Sequence, residues 1–243
     1  MAVERVMIKV ALSLALLLPL ASSSAVEEVK FDFMYFVQQW PASYCATNPC
    51  RAKPPPPAGA FTIHGLWPNY LKPTPGKPGP ENCNSSDHLN PSQIQDLVNP
   101  LTQQWPSLSR AMNNLEFWGH EWQKHGTCSN FNQHGYFNAT LALKIKPSND
   151  IAKILAESHI VPSNKNAYGF GEISDAVAKG TGFRANLQCI KDKANGETLL
   201  YQVYQCVDRF GKNVVRCEAK MESHCPASGK RIKLPVLPLH SAL

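Results

Sequence analysis

The sequence has 243 residues and a formal net charge of +6. A chain of this length can bury one sizeable core but is short for two, so we predict a single domain. Apart from the N-terminal segment, no stretch is apolar for long enough to span a membrane. The modest positive charge suits a polyanionic substrate, and it equally suits an ordinary solvated surface.

The N-terminus has the pattern of a secretory signal peptide. Arg5 and Lys9 precede an apolar run that begins at Val10, and small residues occupy positions 21–25. We predict a signal peptide over residues 1–25 and a mature chain over residues 26–243. The apolar run is well short of the ~20 residues that a membrane-spanning helix needs, which disfavours a membrane anchor. We therefore expect a secreted protein with no membrane association after cleavage.

Eight cysteines are present, all after the predicted signal peptide. An even number on a secretory route predicts four disulfides, although spacing alone leaves their pairing open. No C-x-x-C pair occurs, which disfavours a zinc site. Two N-x-S/T sequons predict glycosylation at Asn84 and Asn138.

The first half of the mature chain contains two predicted strands. Residues 31–40 alternate as a strand does and carry apolar side chains on both faces, which indicates a central strand. The prolines at 54–57 cannot lie in a sheet and mark a loop. A second strand follows from Phe61 to Pro68, and residues 72–80, rich in proline and glycine, are predicted to form a surface loop.

Helical signals dominate the middle of the chain. Asn90 and Pro91 predict a helix start, with apolar residues at helical spacing behind them, and Pro100 is expected to kink or end that helix. Gly180 is expected to stop the last of four further helices. These four helices are predicted over residues 115–128, 134–144, 150–159 and 173–179.

Strand patterns return in the last third of the chain, at residues 184–191, 198–207 and 213–218. The first two are joined through Asn195 and Gly196, a pair typical of a tight hairpin. Strands and helices mix without regular βαβ alternation, which predicts an α+β fold. We expect one domain with a central antiparallel sheet, several flanking helices and disulfide cross-links.

The segment from Glu116 to Cys128 has the highest density of ionisable side chains. At ~100° per residue, four of them share one broad helical face. Trp118 and Trp122 lie on the opposite face, and Phe117 lies among the polar residues, so an ordinary solvated face fits poorly. The four ionisable residues are His120, Glu121, Lys124 and His125.

A zinc protease is the first alternative for this segment, because His-Glu begins the motif HExxH. That motif needs histidines at i and i+4, about 40° apart on a helix. His120 and His125 are at i and i+5, about 140° apart, and could not easily hold one metal. We therefore expect neither a metal nor a cofactor.

Two histidines with a carboxylate and a lysine suit proton transfer around a phosphate. Histidine titrates near neutral pH, so one can accept a proton while another donates one. A cationic Lys124 can stabilise the charge that builds on phosphate oxygens. The partner expected for His125 is His64, at the end of the second strand, although a lone histidine beside Gly65 is more often a packing residue.

Ile63-His-Gly-Leu-Trp-Pro68 and Phe117-Trp-Gly-His-Glu-Trp-Gln-Lys-His-Gly-Thr-Cys128 resemble the two active-site segments of the ribonuclease T2 family. The stretch Phe36-Val-Gln-Gln-Trp-Pro-Ala-Ser-Tyr-Cys45 resembles its plant S-like members. The resemblance implies an endoribonuclease that forms 2′,3′-cyclic phosphates from single-stranded RNA and leaves DNA intact. By this analogy His125 is the base, His64 the acid, Glu121 and Lys124 stabilise the transition state, and His120 helps to hold phosphate.

The resemblance also implies contacts to the nucleobase. Gln39 and Phe117 match base-contacting positions, and Trp67 matches a position lining the phosphate and base region. Without the resemblance, a strand-end polar residue and core aromatics would be the preferred interpretation. The implied disulfides are Cys45–Cys50, Cys83–Cys128, Cys189–Cys225 and Cys206–Cys217.

Three alternatives to a secreted, monomeric RNA-degrading enzyme stay open. The first is a pistil self-incompatibility ribonuclease, whose variable loops identify a partner. The second is a storage or lectin-like protein on an inactive nuclease scaffold, which predicts loss of a catalytic residue, and none is missing. The third concerns the tail at residues 230–243, which either continues the fold or directs the protein to the vacuole.

Overall fold

The structure is a computed structural model that describes residues 28–51, 57–219, 223–226 and 231–237. The predicted signal peptide, most of the proline run at 54–57 and the end of the tail lie outside the described residues. None of the helices in the described ranges is long and apolar enough to cross a membrane.

A five-stranded sheet forms the centre of the domain. Its strands are β1 (Phe33–Gln39), β2 (Thr62–Asn69), β3 (Asn186–Lys191), β4 (Thr198–Val207) and β5 (Ile232–Lys233). The order is β2-β1-β4-β3 with antiparallel pairing, and β5 pairs with β4 in parallel. Every residue of β1 is buried, which confirms the central strand that its two apolar faces predict.

Within the described residues, six α-helices flank the sheet, so the predicted α+β fold is confirmed. They are α1 (Pro41–Thr47), α2 (Val98–Gln104), α3 (Asn114–Lys124), α4 (Gln133–Lys144), α5 (Ile151–Glu157) and α6 (Phe170–Thr181). Short 3₁₀ turns cover Pro91–Leu97, Gly126–Cys128 and Pro147–Asn149.

Buried side chains on both sheet faces make up the core. One face, with Met34 and Phe36, packs against α2, α3 and α4 and includes Trp118 and Trp122. The opposite face of β1 carries an aromatic cluster that includes Tyr35 and contacts β4. A third cluster joins α5 and α6 to β3 and β4.

The helix predicted from Asn90 breaks earlier than expected. It begins as a 3₁₀ segment with a non-helical residue at Ile94 (φ −127°, ψ 18°), and α2 starts only at Val98. Pro100 therefore lies in the first turn of α2, where its missing N–H costs no hydrogen bond. It neither ends nor kinks the helix, so the prediction made for Pro100 from the sequence was wrong.

The glycine that ends α6 is Gly182 and not Gly180. Gly182 adopts a left-handed conformation with φ 84°, which favours glycine after a helix. Gly180 lies within α6, and a Cβ there would be 2.5 Å from side-chain atoms of Ile154. The absence of a side chain at Gly180 thus lets α5 pack closely on α6.

The strand predicted at residues 213–218 does not form, and these residues are largely irregular. Their contact with β4 is a single bridge between Val214 and Val207, next to which the Val215 N–H donates to the Cys206 carbonyl. The side chain of Asp208 accepts hydrogen bonds from the backbone N–H groups of Phe210, Lys212 and Asn213. These bonds hold residues 208–213, which precede the predicted strand, in a tight turn.

Four disulfides cross-link the domain, with the pairing that the resemblance implies. They are Cys45–Cys50, Cys83–Cys128, Cys189–Cys225 and Cys206–Cys217. Cys83–Cys128 ties the loop after β2 to the 3₁₀ turn after α3. It therefore stabilises the part of the molecule where the predicted catalytic residues lie.

Candidate active site

Helix α3 presents three of the predicted catalytic residues. A reciprocal capping box fixes its start, because Asn113 accepts from the Glu116 N–H and Glu116 accepts from the Asn113 N–H. His120, Glu121 and Lys124 then lie within its last two turns.

His125 lies at the junction where α3 ends. The helix predicted over 115–128 stops at Lys124, and His125 leaves helical geometry (φ −120°, ψ −42°) before the 3₁₀ turn Gly126–Cys128. A Cβ at Gly126 would be 2.2 Å from the ring of Trp122, so only glycine fits there. The packing of this glycine on the core holds the backbone beside His125.

Strand β2 presents His64 through a β-bulge. Val37 pairs with Gly65 and Gln38 pairs with Ile63, so His64 is the extra residue on β2. A bulge twists its strand and redirects the side chain that it carries. His64 Nε2 lies 3.9 Å from Glu121 Oε1 on the facing helix.

Trp67 joins the strand to the helix. Its Nε1–H donates to Glu121 Oε2 at 2.9 Å, and its ring stacks on the His125 ring with centroids 4.9 Å apart. A Cβ at Gly65 would be 2.1 Å from Trp67 Nε1 and 2.3 Å from Glu121 Oε2. Gly65 therefore makes room for the hydrogen bond that connects the two elements.

A cleft of about 280 Å³ contains all five predicted catalytic residues. His64, His120, Glu121, Lys124 and His125 line it together with Trp67. Its other walls come from Tyr35, Pro68, Asn69, Pro78, Gly79, Glu81 and Tyr204. No group of three His, Cys, Asp or Glu side chains suited to a metal ion occurs in the part of the chain that the structure describes.

Glu121 is 2% exposed and sits at the base of this cleft. Burial raises the pKa of its carboxyl to about 8, against the opposing hydrogen bond from Trp67. The carboxyl therefore holds a proton at neutral pH. Its Oε2 accepts from Trp67, and its Oε1 lies 3.9 Å from His64 Nε2.

The two central histidines are neutral in the free protein. Burial, reinforced by Lys124 and the neighbouring histidines, lowers the pKa of His125 to about 2. Burial, with His120 and Lys124, lowers the pKa of His64 to about 4. Both imidazoles therefore carry a lone pair until an anion enters the cleft.

The positive side of the cleft is at its mouth. Lys124 Nζ is 3.4 Å from Glu81 Oε1, and both side chains are more than a third exposed. His120 is exposed on the same helix, and partial desolvation together with Lys124 lowers its pKa. Because an exposed ion pair of this kind is weak, Lys124 can exchange its glutamate partner for a phosphate.

A second cavity, of about 140 Å³, shares three residues with the cleft. The shared wall is formed by His64, His120 and Glu121, and Gln39 and Phe117 line the far side. Trp67, the third predicted base-contacting residue, lines the cleft instead. Ser107 and Ser109 also line this cavity, and sequence reasoning missed the remaining lining residues, Tyr44, Leu108 and Met112.

Two further residues that sequence reasoning missed lie on β4 behind His64. Gln202 contacts the His64 ring, and Tyr204 lines the cleft. Their alternation on a strand was visible in the sequence, but the pairing of Gln202 with Gln39 depends on the register of β4 on β1.

Both glycosylation candidates, Asn84 and Asn138, are exposed.

Raising the pH is expected to lower the free energy of unfolding, because Glu121 is buried. The folded protein holds this proton up to a pKa of about 8, whereas an exposed carboxyl loses it near its ordinary 4.5, so the free energy of unfolding falls as pH rises between these values. Glu121→Gln removes that loss. The variant should gain on the order of a few kcal/mol over the wild type at pH 9 and little at pH 5.

Urea titrations at both pH values measure this difference. Glu157→Gln, at an exposed position at the end of α5, is the control and should change neither value. A gain of equal size at pH 5 and pH 9 would contradict the explanation by proton retention.

Comparisons with known proteins agree with this geometry. The Ribonuclease T2 family matches residues 31–217. Intracellular ribonuclease LX of Solanum lycopersicum is 41% identical over 208 residues, 84% of this chain and 84% of that protein. Extracellular ribonuclease LE of the same species is 40% identical over 204 residues, 82% of this chain and 85% of that protein.

Among solved structures, RNase NT in complex with 5′-AMP is similar over the whole domain. It is 38% identical with a TM-score of 0.75, and the match covers 85% of this chain and 99% of that one. The chain therefore belongs to the ribonuclease T2 family and is an endoribonuclease of that type.

Proposed function

We propose that this endoribonuclease cleaves single-stranded RNA by transfer of the phosphate to the adjacent ribose 2′-hydroxyl. His125 takes the 2′-hydroxyl proton, the 2′-oxygen bonds to phosphorus, and the bond from phosphorus to the 5′-oxygen breaks as His64 protonates that oxygen. A 2′,3′-cyclic phosphate forms, and water then opens it to a 3′-phosphate with the two roles reversed. The observation that carries the proposal is the convergence of His64, Glu121 and His125 on one cleft.

The different environments of the two histidines support this assignment of roles. The pKa of His125 is lowered to about 2 and that of His64 to about 4, so His64 takes up a proton more readily. A base needs a free lone pair, and an acid needs a proton to give. The negative charge of a bound phosphate raises the pKa of both histidines and charges His64 first.

Stabilisation of the transition state falls to the remaining residues. The protonated carboxyl of Glu121 can donate a hydrogen bond to a non-bridging phosphate oxygen. Lys124 and His120, at the mouth of the cleft, supply positive charge where negative charge develops. DNA has no 2′-hydroxyl and so cannot supply the attacking atom.

Nucleobase binding is proposed for the second cavity. Phe117 offers a flat ring for stacking and Gln39 an amide for the edge of a base, and the shared wall places the base beside the reacting phosphate. The similarity to RNase NT, which was solved in complex with 5′-AMP, supports nucleotide binding by this chain.

We further propose that the protein is a secreted, glycosylated monomer. The predicted signal peptide over residues 1–25 and the exposed sequons at Asn84 and Asn138 support entry into the secretory pathway. Four disulfides also suit an oxidising compartment. The relatives LX and LE are named intracellular and extracellular, and a vacuolar destination is the alternative for this chain.

Residues 26–243 acting on a short single-stranded RNA in excess chelator test the reaction. We expect full activity without added metal and a 2′,3′-cyclic phosphate product detected by ³¹P NMR. The matched control is the same oligonucleotide with one 2′-deoxyribose at the scissile position, which should stay uncut. Loss of activity in chelator that a divalent cation restores, or cleavage at the deoxyribose, would overturn the proposal.

A further inference from the structure

A chain of hydrogen bonds runs behind His64 from one strand to the next. Gln202 Nε2 lies 2.6 Å from His64 Nδ1, and the Tyr204 hydroxyl donates to Gln202 Oε1 at 2.6 Å. The same hydroxyl lies 3.0 Å from Gln188 Oε1 on β3. Gln202 and Tyr204 are 2% and 6% exposed, so water does not compete for these bonds.

The strand geometry brings these groups together. Gln202 and Tyr204 are two residues apart on β4 and face the same side of the sheet. Gln188 pairs with Gln202 and Cys189 pairs with Leu200, so Tyr201 forms a second bulge next to Gln202. The His64 bulge on β2 and the Tyr201 bulge on β4 thus flank the contact between His64 and Gln202.

The donor-to-acceptor direction of these hydrogen bonds determines which nitrogen of His64 holds the proton. Because Tyr204 donates to the amide oxygen, the amide N–H of Gln202 donates to His64 Nδ1. Neutral His64 therefore carries its proton on Nε2, the nitrogen 3.9 Å from Glu121. To act as an acid, His64 must first gain a second proton, on Nδ1; the Nε2 proton can then be transferred to the leaving oxygen, and the Nδ1 proton stays on the ring.

The donors and acceptors in this series of hydrogen bonds can also exchange roles when His64 becomes charged. Rotation of the Gln202 amide presents Oε1 to the new Nδ1–H, and its N–H then donates to the Tyr204 oxygen. The Tyr204 hydroxyl in turn donates to Gln188 Oε1. Burial raises the pKa of Tyr204 well above its ordinary value, so it remains a hydroxyl throughout.

His125 lacks such a partner. Its Nδ1 is buried and makes no hydrogen bond to any described residue. Both histidines gain and lose a proton during the proposed reaction, but of the two only His64 has a side-chain hydrogen-bond partner at Nδ1 among the described residues. The contrast matches the different tasks proposed for the two histidines.

We propose that Gln202, held by Tyr204, is a positioning residue that fixes the neutral tautomer of His64 and accommodates its charged form. The proposal rests on the assignment of His64 as the acid. Gln202 touches neither the phosphate nor the leaving oxygen in this scheme and acts only through His64. The titratable or charged groups that face His64 from the surrounding elements are Tyr35, Tyr44, Glu81, His120, Glu121, Lys124, His125 and Tyr204.

The test uses three variants of the folded protein. Gln202→Leu and Tyr204→Phe remove one link each, and Gln202→Glu places a carboxylate against Nδ1. Gln205→Leu is the matched control, because Gln205 is equally buried on β4 but bonds to Gln38 and Asn149. It should destabilise the strand without changing His64.

Nitrogen-15 NMR of the free protein reads the tautomer directly. We expect Nε2–H in the wild type and in Gln205→Leu, a mixture in Gln202→Leu, and Nδ1–H with a raised His64 pKa in Gln202→Glu. An unchanged His64 tautomer in Gln202→Leu would overturn the proposal. This readout involves no substrate, so it stands even if His64 proves not to be the acid.

Kinetics supply the second readout. Gln202→Leu should lower kcat for RNA by about 10- to 100-fold with little change in KM, and Tyr204→Phe should have a smaller effect in the same direction. With a 4-nitrophenyl leaving group, which departs without a proton, the loss should vanish. An equal loss on both substrates would mean that Gln202 has only a structural role and would overturn the proposal.

Discussion

Replacing His125 with alanine is expected to lower kcat for RNA by about 10²- to 10⁴-fold, the contribution of one positioned acid or base. His125 is 6% exposed and its ring is held by stacking on Trp67, so no water or neighbouring group can take its place without losing geometry. KM should change little, because charge on phosphate is met chiefly by Lys124 and His120 at the mouth of the cleft.

Two substrates with different leaving groups distinguish the base from the acid. His64→Ala should be as defective as His125→Ala on RNA, but on a nucleoside 3′-(4-nitrophenyl phosphate) it should recover most of the wild-type rate. His125→Ala should stay defective on both substrates, since the 2′-hydroxyl must always lose its proton. His134→Ala, at a surface pair with Asp96, is the control. Recovery by His125→Ala instead of His64→Ala would reverse the assigned roles.

Loss of the Cys83–Cys128 disulfide is expected to give the largest decrease in stability. The double variant Cys83→Ser/Cys128→Ser should lower the free energy of unfolding by about 2–5 kcal/mol. This bond closes a sequence separation of 45 residues, and Cys128 is fully buried. Removing it frees more of the unfolded chain than removing a short loop would, and the substitution at the buried position 128 leaves a hydroxyl group in the core.

Activity should fall with stability in this variant. The segment around Cys83 carries Glu81, and its Asn82 N–H donates to the Lys124 carbonyl at 2.9 Å. Cys45→Ser/Cys50→Ser, across a separation of only 5 residues, is the comparison and should cost less stability. Urea unfolding followed by tryptophan fluorescence, with kcat measured in parallel, checks both effects. A larger loss from the short loop would contradict the account based on chain entropy.

The elements that could be predicted from the sequence are those in which buried residues recur at a regular spacing along the chain. Strand β1 is buried on both faces and so has apolar residues at odd and even positions. Helix α3 combines a polar face with Trp118 and Trp122 on its core face. Gly180 was misinterpreted because its role depends on Ile154, a distant residue whose position no local pattern contains.

In the candidate site, too, some residues could be predicted from local spacing and others could not. The four ionisable residues of the α3 segment are neighbours in sequence, so helical spacing alone groups them. His64 needed its motif, because the bulge that turns its side chain towards Glu121 follows from strand pairing. Gln202 could not have been identified, since its contact with His64 arises only once β1 and β4 are in register.

The short strand β5 has a practical consequence for truncating the chain. Ile232 pairs with Tyr168 and β4, and the carbonyl of Pro235 accepts from Trp40, the residue after Gln39. A cut before residue 231 would remove the strand that pairs with β4 and the carbonyl that accepts from Trp40. An expression boundary or affinity tag placed after Leu237 keeps these bonds. A shortened version of the domain should therefore keep about twenty residues beyond Cys217.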